Sequence, residues 1–208
     1  MKRLLAALAA LCTTCCGRTD APAPTKSPEP VQVDLPAFEG ALSLDDFWTV
    51  IDASIDASGG DPQRKEQALK QALESLSAEQ VLSYARHWAT LDAQAYNWDL
   101  WAAAYVINGG CSDDTFQDFR ASLICQGRTV FEAAIADSDS LADVDFSDEY
   151  EQLFYEGYQY LRWQIYKEKS GEELPRFPDI GSPDPTGQEW EEDDLPKRVP
   201  KLWAKYGD

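Results

Sequence analysis

Residues 98–120 have the sequence WDLWAAAYVINGGCSDDTFQDFR. An apolar run with helical spacing ends at Gly109 and Gly110, which are typical helix terminators, and a second amphipathic run starts near Asp113. The stretch therefore predicts two helices joined by a tight turn. Two Trp, one Tyr and two Phe residues fall within it, and such a density of aromatic side chains indicates a closely packed, specified surface.

Similar helix signals recur along the rest of the chain. Start signals precede the earlier apolar runs at Ser43 with Asp46, Asp61 with Pro62, Ser77 with Gln80, and Asn97. No stretch alternates long enough to predict a strand. We therefore predict an all-α, compact multi-helix domain of about seven helices. A long helix is expected at about 148–169, followed by an irregular Pro-rich tail that is held by Trp190, Leu202, Trp203 and Tyr206.

The N-terminus is typical of an exported protein. Lys2 and Arg3 precede an apolar run at 4–11, which is much shorter than the roughly 20 residues of a membrane span. The order of segments resembles a bacterial lipoprotein precursor. It predicts a signal peptide with a degenerate lipobox at 1–16, a Pro-rich flexible tether at 17–42 and a helical domain at 43–208.

Lipidation is expected at Cys16, with Cys15 as the alternative. The protein would then be a membrane-anchored lipoprotein of the cell envelope that faces the extracytoplasmic side. Ordinary cleavage and release as a secreted soluble protein is the alternative.

The net charge restricts the partners. The chain has 37 acidic and 18 basic residues, a formal charge of −19. A field of that sign repels phosphate backbones and anionic lipid, so we expect no nucleic acid partner. Contact with a membrane is expected through the lipid anchor only. A protein or a small-molecule ligand remains open as the partner.

Several motifs resemble one bacterial family. They are FWxxID at 47–52, WDLWxAAYxINGGCSDD at 98–114, DFR at 118–120, QGRxxFE at 126–132, WEEDDLP at 190–196 and PxLWxxYG at 200–207. Together they are similar to domain of unknown function 4240, and the resemblance covers about residues 44–207. It implies no activity, so no residue inherits a catalytic role from it.

Catalytic candidates are few. His87 is the only histidine, so a histidine-based metal site cannot form within one chain, and we predict no metal and no cofactor. Cys111 lies between Gly110 and a helix start, a setting that can lower a thiol pKa. A hydrolase would use the turn from Gly109 to Arg120, with His87 within hydrogen-bond reach of Cys111 or Asp113. The alternative is a structural histidine.

Two further hypotheses concern the same turn. Asp99, Arg120 and Arg128 could form a buried ion-pair network that fixes it. A ligand pocket could instead be lined by Trp98, Trp101, Tyr105 and Asn108, although aromatic residues at helical spacing are more often core. Cys111 and Cys125 are expected as buried free thiols, because a helix would separate them by about 20 Å. The leading interpretation is a non-enzymatic binding or interaction domain.

Overall fold

A computed structural model describes residues 31–146 and 152–207. Within them lie nine α-helices, which are α1 Leu44–Ser58, α2 Pro62–Ser75, α3 Ala78–Ala95, α4 Trp98–Asn108, α5 Asp113–Ile124, α6 Arg128–Ala136, α7 Leu161–Ser170, α8 Leu195–Arg198 and α9 Pro200–Tyr206. Short 3-10 helices occupy Ser138–Asp143, Glu156–Gln159 and Glu192–Asp194. The described residues contain no strand, only an isolated bridge between Asn97 and Thr186. The prediction of an all-α domain is confirmed.

The first helices begin and end where the sequence predicts. At α1 the Ser43 hydroxyl accepts a hydrogen bond from the Asp46 backbone N–H at 3.1 Å, and the Asp46 carboxylate accepts one from the Ser43 N–H at 2.9 Å. Such a cap contributes about 0.5–2 kcal/mol. Gly109 closes α4 with a φ of 66°, a left-handed conformation that only glycine adopts without strain.

The core is a continuous cluster of apolar side chains from all the longer helices. α1 packs along α2, and α3 packs against both α5 and α7. Trp88 of α3 and Phe116 and Phe119 of α5 are almost completely buried. Burying one large apolar side chain contributes about 1.5–3 kcal/mol, so this junction of three helices is a major source of stability.

The long helix predicted at 148–169 is interrupted, because Gln152 and Leu153 are helical but the chain leaves the helix at Phe154. Residues 147–151 lie outside the described part, Tyr155 has extended backbone angles, and α7 begins only at Leu161. The Tyr155 N–H donates to the Ser122 hydroxyl at 3.0 Å, a contact that fixes the backbone at this break. A side chain at Gly157 would lie 2.8 Å from the Glu66 carboxylate, so α2 approaches the chain closely where the helix is interrupted.

The tail is also more ordered than predicted. The part near 171–191 is irregular, but α8 and α9 follow it instead of irregular chain. Leu202 is completely buried, and the Trp190 indole N–H donates to the Trp98 carbonyl at 2.8 Å, so both residues hold the tail as expected. Thr186 exchanges backbone hydrogen bonds with Tyr96 and Trp98.

The folded unit begins at Val31, within the segment predicted as tether. Leu42 is buried, and its N–H donates to the Ser83 hydroxyl at 2.8 Å. The carbonyl of Phe38 accepts a hydrogen bond from Gln80 at 3.0 Å. The predicted signal peptide, with Cys15 and Cys16, lies outside the described residues. Among the helices that are described, none has the length and apolar character needed to cross a membrane.

Candidate functional site

The aromatic residues of the central motif pack on one another. Trp98 stacks on Trp101 with a centroid distance of 5.2 Å, and Trp101 stacks on Phe116 at 4.8 Å. Trp190 closes the row edge-on against Trp98 at 6.1 Å. The Trp101 indole N–H donates to the Cys111 carbonyl at 3.0 Å. These rings therefore occupy the space that a ligand pocket would need.

The other two residues of the predicted pocket are also engaged within the domain. The Tyr105 hydroxyl donates to the Glu192 carboxylate, and the Trp190 ring lies 5.2 Å from the Tyr105 ring. The Asn108 amide donates to the Gly110 carbonyl at 2.8 Å, which fixes the turn after α4. The contacts of these residues thus bind the tail and the turn to α4.

The predicted ion-pair network among Asp99, Arg120 and Arg128 does not form. Asp99 pairs with Arg198 of α8 at 2.7 Å. Arg128 pairs at the surface with two carboxylates, both at 2.7 Å, from Asp45 and Glu132. The three side chains therefore contact different partners, and no ion pair joins any two of them.

Arg120 pairs with a carboxylate outside the predicted network. Its guanidinium donates to both oxygens of Asp92 on α3, at 3.0 and 3.4 Å. It also lies over the rings of Tyr96, at 4.6 Å, and Phe116, at 4.9 Å. Only 11% of the Arg120 side chain is exposed, against 32% of Asp92. The pair joins α5 to α3 and reaches the surface through the Asp92 carboxylate.

The Asp92 carboxylate opens into a cleft of about 330 Å³. Its floor and walls come from α3, α5 and α7, and residues 177–182 of the tail complete it. The principal side chains that line it are Trp88, Asp92, Tyr96, Arg120, Arg162 and Phe177. Aromatic walls with a few convergent polar groups are typical of small-molecule sites.

A second guanidinium faces this cleft from α7. The Arg162 guanidinium contacts two indole rings, 4.9 Å from the Trp88 centroid and 4.0 Å from that of Trp163. It donates to the Gln159 carbonyl. Burial lowers the pKa of Arg162 to about 10, an effect that the Asp92 carboxylate partly offsets. Arg162 is therefore charged at neutral pH, and no described carboxylate lies within salt-bridge distance of it.

The tail segment at 177–182 is attached to α3 at the rim. Arg86 forms an ion pair with Asp179 at 2.5 Å and lies 5.5 Å from the Phe177 ring centroid. A Cβ at Gly181 would lie 3.5 Å from the Cβ of Ala93, so the backbone rests directly on α3. Exposed ion pairs contribute only about 0–1 kcal/mol, so packing holds most of this segment in place.

The catalytic candidates are not brought together by any described contact. His87 is hydrogen-bonded to the Leu42 carbonyl at 2.9 Å, on the side of α3 that packs against α1. Asp113 is exposed in the first turn of α5. Burial raises the pKa of the half-buried Cys111 thiol to about 12, opposite to the expected lowering. Cys111 and Cys125 are both free thiols, as predicted, but only Cys125 is fully buried.

Two other cavities are acidic. One, of about 380 Å³, is lined by Asp114, Asp118 and Glu156, and burial raises the pKa of Asp118 to about 6 with help from the other two carboxylates. The other, of about 530 Å³, lies beside α1 and includes Asp52 and Asp56. In the described part of the chain, no group of three or more His, Cys, Asp or Glu residues is placed so that it could hold a metal ion.

Of the cleft residues, only Arg120 is among the candidates predicted from the sequence. Trp88, Asp92 and Tyr96 are spaced four residues apart, so they share one face of α3. That spacing is the one sequence signal that places Asp92 on the same helix face as two aromatic side chains. No local pattern marks Arg162, because its place in the cleft depends on how α7 packs against α3.

Comparison with known proteins identifies one family. The family model described as "Protein of unknown function (DUF4240)" matches residues 43–168. No curated protein and no solved structure matches the chain. The matched stretch contains the cleft residues of α3, α5 and α7, whereas the tail at 177–182 lies beyond it. Because the match covers more than half of the chain and agrees with the motifs found in the sequence, the protein belongs to the DUF4240 family.

Proposed function

We propose that this protein is a non-enzymatic binding module that holds a small molecule in the cleft between α3, α5, α7 and residues 177–182. The observation that supports this proposal is the cleft itself. It combines aromatic walls from Trp88, Tyr96 and Phe177 with the polar groups of Asp92, Arg120 and Arg162. Fixed polar groups within apolar walls give a ligand both affinity and orientation.

A hydrolase lacks comparable support. General base catalysis needs His87 within hydrogen-bond reach of a nucleophile, but its described partner is the Leu42 carbonyl. A nucleophilic thiol needs a depressed pKa or an adjacent base, and the pKa of Cys111 is raised. Binding without chemical conversion is therefore the function that the geometry favours.

The binding module would act outside the cytoplasm. We propose that a lipid on Cys16, or on Cys15, anchors it to the membrane. The support is the order of segments in the sequence, in which a basic start, a short apolar run, the cysteines and a Pro-rich stretch precede the folded unit. A tethered domain of this kind could present the cleft to solutes of the cell envelope.

Anchoring is tested by metabolic acyl labelling in a bacterial host that processes lipoproteins. We expect incorporation of labelled fatty acid into the full chain, and loss of at least nine tenths of it in a variant that combines Cys15→Ala and Cys16→Ala. The single variants identify the acylated residue. Cys12→Ala is the matched control and should keep its label. Full labelling of the double variant would contradict lipidation at these positions.

Occupancy of the cleft is tested with three probes of one shape, 2-naphthoate, 2-naphthamide and 2-naphthylmethylammonium. We expect at least one to bind with a Kd of about 1 mM or lower, as measured by ligand-observed NMR. Ala89→Phe should raise the Kd of that probe at least tenfold, because Ala89 lines the cleft and the added ring would fill it.

The control is Ala57→Phe, which places the same ring in the separate cavity beside α1. It should change the affinity of the bound probe less than twofold. Binding of no probe, or equal binding by the Ala89→Phe variant, would count against a ligand in this cleft.

A further inference from the structure

The geometry points to a small monocarboxylate with an apolar body as the ligand of the cleft, its carboxylate bound by Arg162. This inference rests on the proposed function and specifies its ligand class.

The charges around the cleft leave one cation in excess. Arg120 and Arg162 contribute two positive charges, and Asp92 contributes one negative charge. Asp92 is already engaged by both hydrogen bonds from Arg120. The net positive site stands within a chain of formal charge −19. A single negative charge on a ligand would neutralise it.

The restricted guanidinium of Arg162 and its remaining N–H donors suit a planar anion. The two indole rings of Trp88 and Trp163 restrict its guanidinium, so little side-chain entropy remains to be lost on binding. A guanidinium has five N–H donors, and within the described residues Arg162 uses one, toward the Gln159 carbonyl. The remaining donors suit the paired oxygens of a carboxylate, which accept two parallel hydrogen bonds.

Phosphate is a poorer match in charge. A phosphate monoester carries about −1.5 to −2 charges at neutral pH, more than the single excess cation can neutralise. The Asp92 carboxylate at the same cleft would repel the surplus charge. A carboxylate brings one charge, and its two oxygens can lie in the plane of the guanidinium.

The rest of the cleft suits an apolar body. Trp88, Tyr96, Phe177 and Ile180 supply ring and aliphatic surface around the two guanidinium groups. Residues 177–182 cover this surface from the tail side and would bury the ligand further. Exclusion of water strengthens the contact between a carboxylate and Arg162, because charges interact more strongly at low dielectric constant.

The charge of the probe tests the ligand class on the unmodified full chain. We expect 2-naphthoate to bind at least tenfold more tightly than 2-naphthamide, and 2-naphthylmethylammonium not to bind. The phosphate ester 2-naphthyl phosphate should bind at least threefold more weakly than 2-naphthoate. Equal or tighter binding of the amide, the ammonium or the phosphate would overturn the assignment.

Substitution of Arg162 tests whether this residue binds the carboxylate. Arg162→Gln should weaken the binding of 2-naphthoate at least tenfold and change the Kd of 2-naphthamide less than twofold. The affinity of the Arg162→Lys variant for 2-naphthoate should lie between those of the unmodified chain and Arg162→Gln. Lys70→Gln is the control, because it makes the same change in charge on α2, which does not line the cleft. It should change the Kd of either probe less than twofold. Unchanged binding of 2-naphthoate by the Arg162→Gln variant would overturn the role of Arg162.

The two proposals fail in different ways. If an uncharged or cationic probe binds and Ala89→Phe abolishes its binding, the cleft is a ligand site and only the carboxylate assignment is wrong. If no probe binds, the proposed function itself is contradicted. Because the ranking of probes is measured on the unmodified chain, it remains decisive even if an Arg162 variant does not fold.

Discussion

Phe116→Ala is expected to lower the free energy of unfolding by about 3–5 kcal/mol. Phe116 is completely buried on α5, and its ring meets those of Tyr96 at 6.1 Å, Trp101 at 4.8 Å and Phe119 at 6.1 Å. The Arg120 guanidinium lies over it as well. Removal of the ring leaves a cavity among rigid aromatic neighbours that cannot easily collapse. Urea denaturation followed by far-UV circular dichroism measures the loss.

Two variants control for the position and the size of the ring. Trp98→Ala removes a larger side chain, but Trp98 is only half-buried at the end of the same row, so we expect a loss of about 1–2 kcal/mol. Phe116→Leu keeps most of the buried volume and should cost about half as much as Phe116→Ala. A loss below about 1.5 kcal/mol for Phe116→Ala would mean that this row of rings is not a stabilising core.

That result would also bear on why the 98–120 motif is so rich in aromatic residues. Four of its rings, together with Trp190 from the tail, contact one another and the backbone of the turn. The motif therefore holds α4, α5 and the tail in register. It reaches the cleft through Arg120, its last residue, whose guanidinium lies over the Phe116 ring.

Local signals were sufficient to predict the first helices from the sequence. Capping residues such as Ser43 and Ser77 act within three residues of the helix start, and glycines such as Gly59 and Gly109 act at the helix end. Each signal and its effect lie in one short window, so no knowledge of the tertiary structure is required.

Prediction failed where distant residues decide the backbone. The hydrogen bond from Tyr155 to Ser122 and the close approach of Glu66 to Gly157 interrupt the helix that apolar spacing predicts there. Neither contact can be predicted from the local sequence, because the partners are more than thirty residues away. Leu153 and Ile165 are both buried, but apolar spacing does not reveal the break that lies between them.

The cleft was missed for the same reason. It assembles Asp92, Arg120, Arg162 and residues 177–182 from four separate segments. The predicted network paired Arg120 with Asp99, yet the carboxylate that Arg120 contacts is Asp92 of α3. Charge alone cannot select a partner among 37 acidic residues, since the choice depends on how the helices pack.

Asp139→Ala is expected to lower the free energy of unfolding by about 2–4 kcal/mol and to release α9 from the domain. The Asp139 carboxylate is buried and accepts hydrogen bonds from the backbone N–H groups of Lys201, at 3.0 Å, and Leu202, at 2.9 Å. Because α9 begins with Pro200, which has no N–H, these are the first donors at its positive end. Without the carboxylate they would be left unsatisfied, and hydrogen exchange at both amides should accelerate at least tenfold.

Asp143→Ala is the matched control, because it removes the same charge from the same 3-10 helix and from a contact with the same lysine. Its carboxylate lies 2.8 Å from the Lys201 ammonium, but 69% of the side chain is exposed, so we expect a loss below about 1 kcal/mol. Asp139→Asn keeps an acceptor without the charge and should fall between the two. Equal losses for Asp139→Ala and Asp143→Ala would refute the capping role. A larger loss at Asp139 would mean that a buried carboxylate, rather than surface charge, fixes the tail that reaches the cleft.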